Sequence, residues 1–174
     1  MTHYNYQKDM RSLWEYAVKT YEGGNREPSS YFSKDQLAWM DANGLKVMDL
    51  YDFAEDFVSG GEPDFETFLM ISEARRDYFL HVQKGVTSTE VLDTDTLPAK
   101  TDKVDGIEWL PRILPKAKAK LRGELPPEIM YCCGGDRNFL KTVDFHPAEF
   151  LRLVWAHIDD DAATIAAVKA RVKS

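Results

Sequence analysis

Cysteine is nearly absent from the sequence: the 174-residue chain contains two, and they are adjacent, Cys132 and Cys133. Neighbouring cysteines cannot cross-link distant segments, which excludes a disulfide framework. They are also too few for a structural zinc site, since the four histidines are scattered along the chain. No histidine follows a glutamate by three residues, the spacing that helical di-metal carboxylate proteins need. We therefore expect neither a metal nor another cofactor.

Long apolar runs are missing too. No stretch approaches the roughly 20 apolar residues that cross a bilayer, and the first residues lack the apolar run of a signal peptide. These absences predict a cytoplasmic protein with no membrane partner. Basic residues are outnumbered, 22 Lys and Arg against 29 Asp and Glu, which gives a net charge of -7. Nucleic-acid binding needs a basic surface, so this acidic balance predicts no nucleic-acid partner.

Hydrophobic residues are plentiful, at 44% of the chain with 12% aromatic, which is enough for a packed core. They recur at steps of three and four, the spacing of one apolar helical face. Ser33 with Gln36 forms a capping box, and Gly23 and Gly123 are typical helix stops. The pattern predicts an all-α fold, a compact protein of about eight helices without a β-strand. The predicted helices cover approximately residues 5–22, 33–44, 47–60, 63–84, 110–123, 136–143, 147–157 and 159–172.

The chain is predicted to consist of two halves. Residues 86–105 are mostly polar and lack periodicity, which indicates a linker or loop between an N-terminal helical half, 1–85, and a C-terminal one, 106–174. Both halves show the same order of signals, so they could be two similar four-helix units from an internal duplication, or a chance recurrence of common helix signals. The matching signals are the pairs Gly23 and Gly123, Tyr31 and Tyr131, Leu45-Lys46 and Leu140-Lys141, and Asp64 and Asp160.

Several strings of residues carry a resemblance to a known family. They are Gly106-Ile107-Glu108-Trp109-Leu110-Pro111-Arg112, then Lys116-Ala117-Lys118-Ala119-Lys120-Leu121-Arg122-Gly123, then Tyr131, Cys133, Asp136, Arg137, Phe139 and Leu140. Through them, residues 97–171 resemble an uncharacterised bacterial family catalogued as domain of unknown function 5069. The first half resembles longer members of the same group through Gly61-Glu62-Pro63-Asp64 and Arg75-Arg76-Asp77-Tyr78-Phe79-Leu80. The resemblance implies a bacterial protein with a helical fold, and it implies no activity.

The chain departs from that family at one informative place. The family usually has a Cys-Pro-Leu-Asp string where this chain reads Cys133-Gly134-Gly135-Asp136. Two glycines allow a ligand to approach the backbone closely. The loop geometry of the family is therefore not carried over to this chain.

Arg75 is the most informative candidate residue. On a helical wheel Glu66, Glu73 and Asp77 share the solvent stripe, whereas Arg75 lies on the opposite, apolar side beside Phe79. A guanidinium there is expected to be buried and satisfied by an acidic group. That group is either a carboxylate of another helix or a ligand carboxylate or phosphate.

The loop from Tyr131 to Arg137 is the second candidate. Cys133 lies just before a predicted helix N-terminus, with Arg137 nearby, and such surroundings increase the reactivity of a thiol. Tyr131, Asp136 and Arg137 would join Arg75 as ligand-binding residues. The alternative is a glycine turn that holds an inert, half-buried thiol, because free cysteines commonly pack as small hydrophobic side chains.

His157 is the third candidate. It could act as a general base near Cys133, which makes these two residues the candidate catalytic pair. Alternatively, its position near a helix C-terminus lets the helix dipole stabilise it. The basic residues from Arg112 to Arg122 are interpreted as a solvated rim or as partners for acidic side chains, with anion binding as the other interpretation.

These features favour a soluble small-molecule-binding protein or an enzyme, with a site for a small anionic ligand between the two halves. The alternative is a non-catalytic protein-interaction module that uses exposed aromatic residues and the polar linker. An apolar surface patch of several hundred Å² would favour that alternative. The residues decide neither the reaction nor the oligomeric state.

Overall fold

Capping residues and glycine stops divide the chain into helices where the periodic pattern predicts them. The computed structural model describes residues 3–172, and within that range eight α-helices confirm the predicted all-α fold. Ser33 and Gln36 form the predicted capping box. The helices are α1 Tyr6–Glu22, α2 Lys34–Ala42, α3 Val47–Gly60, α4 Phe65–Asp77, α5 Leu110–Arg122, α6 Gly134–Thr142, α7 Pro147–Ala156 and α8 Asp161–Arg171.

A small hairpin corrects the expectation that the protein has no β-strand. Strand β1, Lys103–Val104, pairs antiparallel with β2, Ile107–Glu108. The two residues between them, Asp105 and Gly106, have positive φ angles of 51° and 82°. An Asp-Gly pair with both φ angles positive is the preferred two-residue hairpin turn. Strands of two residues are too short to show an alternating pattern, so the sequence does not predict them.

The chain divides into two compact units, residues 1–87 and 88–174. The polar segment 86–105 therefore falls almost wholly within the second unit. Two hydrogen bonds fix this segment to Glu124. The Leu92 N–H donates to the Glu124 carbonyl at 2.8 Å, and the Ser88 hydroxyl donates to the Glu124 carboxylate at 2.8 Å. A short 3-10 helix, Thr94–Thr96, and the hairpin then lead into α5.

An aromatic core holds the first unit together. Helix α1 packs chiefly on α3 and also contacts α4. Trp14 lies at the centre, stacked on Phe68 with ring centroids 4.9 Å apart and edge-on to Phe57. Aromatic rings of this kind bury large apolar areas, which stabilises a small helical unit.

Buried aliphatic and aromatic side chains together form the core of the second unit. Helix α5 packs chiefly on α7, which also contacts α6 and α8. The predicted stripe on α5 is buried, and the helix continues through Pro115 in its interior. The buried stripe comprises Leu110, Ile113, Leu114, Ala117 and Leu121, and the buried residues of α7 include Phe150, Leu151 and Val154.

Each unit, taken by itself, follows the same internal plan. The first helix of each ends at a glycine, Gly23 or Gly123, and the second helices, α2 and α6, have nine residues each. The predicted match of Leu45 with Leu140 is wrong, because Leu45 follows α2 whereas Leu140 lies inside α6. Phe145 is the counterpart of Leu45, since both donate a backbone N–H to the residue five positions earlier. A common origin for the two units stays a prediction.

Candidate functional site

A cysteine and two glycines begin helix α6. Cys133 is the N-cap in an extended conformation, and its side chain makes no capping hydrogen bond. Gly134 and Gly135 form the start of the helix. The first N–H groups of a helix have no partner within it, so the start of α6 presents donors and a partial positive charge.

Asp136 is the centre of a buried polar cluster. Its carboxylate is fully buried and accepts hydrogen bonds from Trp109 Nε1 at 2.9 Å, from the Cys132 backbone N–H at 2.9 Å and from Lys116 Nζ at 2.5 Å. Three donors around one buried carboxylate compensate for its lost hydration. Asp136 therefore fixes the loop that precedes α6 through buried hydrogen bonds.

Lys116 links this cluster to the thiol of Cys133. Its ammonium is 3.4 Å from Cys133 Sγ in addition to its contact with Asp136. Lys116 is only 3% exposed, and Lys120 is buried to the same degree. The interpretation of the α5 basic residues as a solvated rim is therefore wrong for these two lysines, whereas pairing with an acidic side chain is confirmed for Lys116.

Gly135 is required by the close approach of Trp109. A Cβ atom at Gly135 would lie 2.4 Å from Cζ2 of the indole, far inside contact distance. The indole is fixed at one end by Asp136 and at the other by a backbone with a positive φ of 71°. The absence of a side chain at position 135 thus accommodates the indole ring.

We expect Gly135→Ala to destabilise the protein by about 1–3 kcal/mol, since overpacking costs more than the roughly 1 kcal/mol that alanine gains over glycine in a helix. The matched control is Gly134→Ala, whose new Cβ would have its nearest neighbour, Arg137 Nη2, at 3.8 Å. The control should be neutral or slightly stabilising. Urea unfolding of both variants measures the difference, and equal stabilities would show that Trp109 does not restrict position 135.

A cleft of about 350 Å³ opens beside this cluster. Three cationic side chains, Lys100, Arg112 and Lys116, line it against one carboxylate, Glu128, so its wall is predominantly basic. Its volume lies within the range of small-molecule sites. The other lining residues are Trp109, Ile129, Met130, Cys133, Gly134 and Gly135.

The two cysteines lie in different surroundings. Cys132 is fully buried, and burial raises the pKa of its thiol to about 12, partly offset by the Arg137 guanidinium. Cys133 is half-buried and lines the cleft. Cys133 is therefore the sulfur that a molecule in the cleft can reach.

Tyr131 and Arg137, both predicted to bind a ligand, make internal contacts. Tyr131 is 1% exposed and its hydroxyl donates to the carbonyl of Pro147 at 2.7 Å. Burial raises the pKa of Tyr131 well above its usual value, so the phenol is a neutral donor. Arg137 Nη1 donates to the Cys132 carbonyl at 2.7 Å and so holds the loop that precedes α6.

Arg75 lies in the first unit, and its predicted burial is confirmed, at 2% exposed. Its Nη1 donates to Oε1 of Gln83 at 2.6 Å, and its guanidinium carbon lies 5.2 Å from the centre of the Phe79 ring. The amide oxygen of Gln83 is thus one partner of the guanidinium. The expected acidic partner of Arg75 stays a prediction.

His157 is the C-terminal cap of α7, as its position near the helix end predicts, and its backbone N–H donates to Leu153. The side-chain cation within hydrogen-bonding distance of Cys133 Sγ is Lys116. The catalytic pairing of His157 with Cys133 stays a prediction. His146 caps the start of the same helix, α7, where its Nδ1 accepts a hydrogen bond from the Ala148 N–H.

The first unit contains a corresponding cleft of opposite charge. It lies between α1 and α2, has a volume of about 280 Å³ and is lined by Asp9 and Asp35 together with Trp39. Counted back from Gly23 and Gly123, Asp9 corresponds to Trp109. Asp35 corresponds to Gly135, since each is the second residue of its helix. The same arrangement of helices can therefore form a cleft with an acidic or a basic wall. The positive charge of the cleft in the second unit comes from the side chains that line it and not from the helix arrangement.

Comparison of the chain with protein-family models, curated proteins and solved structures gives no significant match. The resemblance to domain of unknown function 5069 accordingly stays a prediction. Along residues 3–172, none of the helices is long and apolar enough to span a bilayer. The same part of the chain contains no group of three or more His, Cys, Asp or Glu side chains that could hold a metal ion.

Proposed function

We propose that the cleft in the second unit binds a small anion, a carboxylate or a phosphate, with the Cys133 thiol beside it. The observation that carries the proposal is the contact of Cys133 Sγ with the buried Lys116 ammonium, at 3.4 Å, on the wall of a basic cleft. Arg112 and Lys100 supply further positive charge there. Charge-assisted hydrogen bonds from such groups are the usual means of binding carboxylates and phosphates.

The start of α6 supports the same ligand chemistry. Gly134 and Gly135 line the cleft, and neither has a side chain that would screen the backbone donors. A helix N-terminus with exposed N–H groups favours anions through both hydrogen bonds and the helix dipole. In α2, by contrast, the Ser33 side chain already occupies one of these donors, the N–H of Gln36.

The proposal differs from the sequence-based expectation in its location. It places the anion within the second unit, beside Cys133, and it does not use Arg75. The thiol gives the cleft a nucleophilic atom, so the site suits either ligand binding alone or covalent chemistry on the bound anion. Asp136, Tyr131 and Arg137 act as supports that hold the loop and Lys116 in place.

Alkylation of Cys133 by two reagents of different charge tests this proposal. Iodoacetate and iodoacetamide both form a bond between the cysteine sulfur and carbon with loss of iodide, but iodoacetate carries a negative charge. The ratio of their rates, compared with the same ratio for N-acetylcysteine, cancels the intrinsic reactivity of the thiol. We expect the basic cleft to raise this relative ratio about fivefold, since roughly 1 kcal/mol is a reasonable value for a partly screened charge pair.

One arginine variant and one lysine variant provide the comparison. Arg112→Ala removes a cation from the cleft wall and should bring the ratio most of the way back to that of the free thiol. Lys141→Ala removes an equal charge from the other end of α6 and should leave the ratio unchanged. A wild-type ratio equal to that of N-acetylcysteine would rule out anion recognition beside Cys133.

A further inference from the structure

The first unit contains a second, larger cleft, of about 610 Å³, between the start of α1 and the end of α4. Its wall includes Tyr6, Arg76, Glu73 and Asp77, so both signs of charge are present. The volume is ample for a small polar molecule. This cleft is separate from the one proposed to bind an anion in the second unit.

Tyr6 is the feature that points to a ligand. The residue is 5% exposed, and among the described residues its hydroxyl has no hydrogen-bond partner. Its ring is stacked on Trp39, with centroids 5.6 Å apart. Burial raises the pKa of Tyr6, so the phenol is neutral and is a donor that lacks an acceptor. Buried polar groups are nearly always paired, so an unpaired one calls for a partner from outside the chain.

Arg76 lies over the Tyr6 ring, with the guanidinium carbon 4.4 Å from the ring centre. Its Nε donates to Asn43 Oδ1 at 2.6 Å, which fixes the guanidinium plane. Its outer nitrogen, Nη2, lies 2.6 Å from Nδ1 of His3. His3 is exposed and belongs to a 3-10 helix of three residues. A ligand carboxylate could therefore replace the His3 ring nitrogen beside Arg76 Nη2.

Glu73 and Asp77 supply the opposite charge. They are four residues apart on α4 and so share a face of that helix. Glu73 is already held in place by Gln7, whose Nε2 donates to Oε1 at 2.9 Å. A molecule in this cleft would meet a guanidinium and a phenol together with two carboxylates.

We propose that this cleft binds a free α-amino acid. Its carboxylate replaces His3 on Arg76 and accepts a hydrogen bond from the Tyr6 hydroxyl, while its ammonium group pairs with Glu73 and Asp77. Adjacent charges of opposite sign on one small molecule match the wall, whereas a simple anion or a simple amine satisfies half of it. Binding here does not depend on the second unit, so its failure leaves the proposed anion site untouched.

Calorimetric titration with three matched probes tests the proposal. L-Alanine carries both charged groups, propionate lacks the ammonium and ethylamine lacks the carboxylate. We expect L-alanine to bind about tenfold or more tightly than either analogue, since each analogue loses a charge-assisted hydrogen bond. Equal binding of the three probes, or no binding of L-alanine, overturns the proposal.

Two variants distinguish a ligand site from a structural one. Tyr6→Phe should weaken L-alanine binding about fivefold or more, yet leave the thermal stability of the free protein equal or higher, because the lost hydroxyl had no partner. His3→Ala should tighten binding, because it removes the side chain that occupies Arg76. Tyr16→Phe, on an exposed tyrosine of the same helix, is the control and should change neither property. Lower stability of Tyr6→Phe with unchanged binding would show that water satisfies the hydroxyl, and would overturn the proposal.

Discussion

Lys116→Met should lower the free energy of unfolding by about 3–5 kcal/mol. The substitution removes the cation that pairs with Asp136 at 2.5 Å, and both side chains of that pair are almost completely buried. The Asp136 carboxylate would then keep Trp109 Nε1 and the Cys132 N–H as donors but lose its countercharge. An uncompensated buried charge is among the most destabilising changes that one substitution can cause.

The pair also provides its own controls. Lys116→Met combined with Asp136→Leu removes both charges, and it should recover much of the loss, because apolar replacements of a buried pair are often well tolerated. Lys118→Met breaks a neighbouring pair, Lys118 with Asp161 at 2.8 Å, whose carboxylate side chain is 51% exposed. That change should cost no more than about 1 kcal/mol. Chemical denaturation of the three variants measures these values, and equal losses for Lys116→Met and Lys118→Met would contradict the buried pair.

Alkylation of the native protein with iodoacetamide at pH 8 should occur at Cys133 at least roughly 100-fold faster than at Cys132, since a buried thiol reacts only when the structure opens. Cys133 lines the cleft, whereas Cys132 has no exposed surface and a pKa of about 12. Mass spectrometry of peptides after timed labelling gives the two rates. Unfolding in urea should make the rates similar, and similar rates in the native protein would contradict the burial of Cys132.

The raised pKa of Cys132 also predicts a dependence of stability on pH. The folded-state pKa of Cys132, about 12, is above that of an unfolded cysteine. The contribution of this thiol to the free energy of unfolding is therefore complete below about pH 8.5. It is lost as the pH rises toward the folded-state value, because the unfolded chain ionises first. Cys132→Ala should therefore show a smaller decline in stability between pH 9 and 11 than the wild type. Identical declines would show that this thiol ionises freely in the folded protein.

The fold was largely predictable because its signals are local. The helices show apolar steps of three and four, and several have a recognisable side-chain cap, such as Ser33 with the Gln36 N–H or Asp64 with the Thr67 N–H. The sequence does not predict the hairpin at residues 103–108, because its only local signal is one Asp-Gly turn without strand alternation around it. The sequence predicts a linker or loop for the segment before it, because the hydrogen bonds that join this segment to Glu124 span more than thirty residues.

The candidate site was predictable only in part. The loop around Cys133 and the buried position of Arg75 follow from residue order and helical phase. Lys116 could have been found by the reasoning that identified Arg75, since it lies three residues after the core residue Ile113. Its partners could not, because Trp109, Lys116 and Asp136 are brought together by tertiary packing across 20 to 27 residues.

Titration of the protein with inorganic phosphate, followed by NMR at the backbone amides of Gly134 and Gly135, tests the central claim most directly. The ionic strength is held constant with chloride, so that only specific binding is observed. Saturable shifts of these two amides, about tenfold weaker in affinity in Arg112→Ala, are expected from the loss of a charge-assisted hydrogen bond. Lys141→Ala should bind as the wild type does. Shifts that fail to saturate, or that saturate with equal affinity in Arg112→Ala, would contradict an anion site in the cleft beside Cys133.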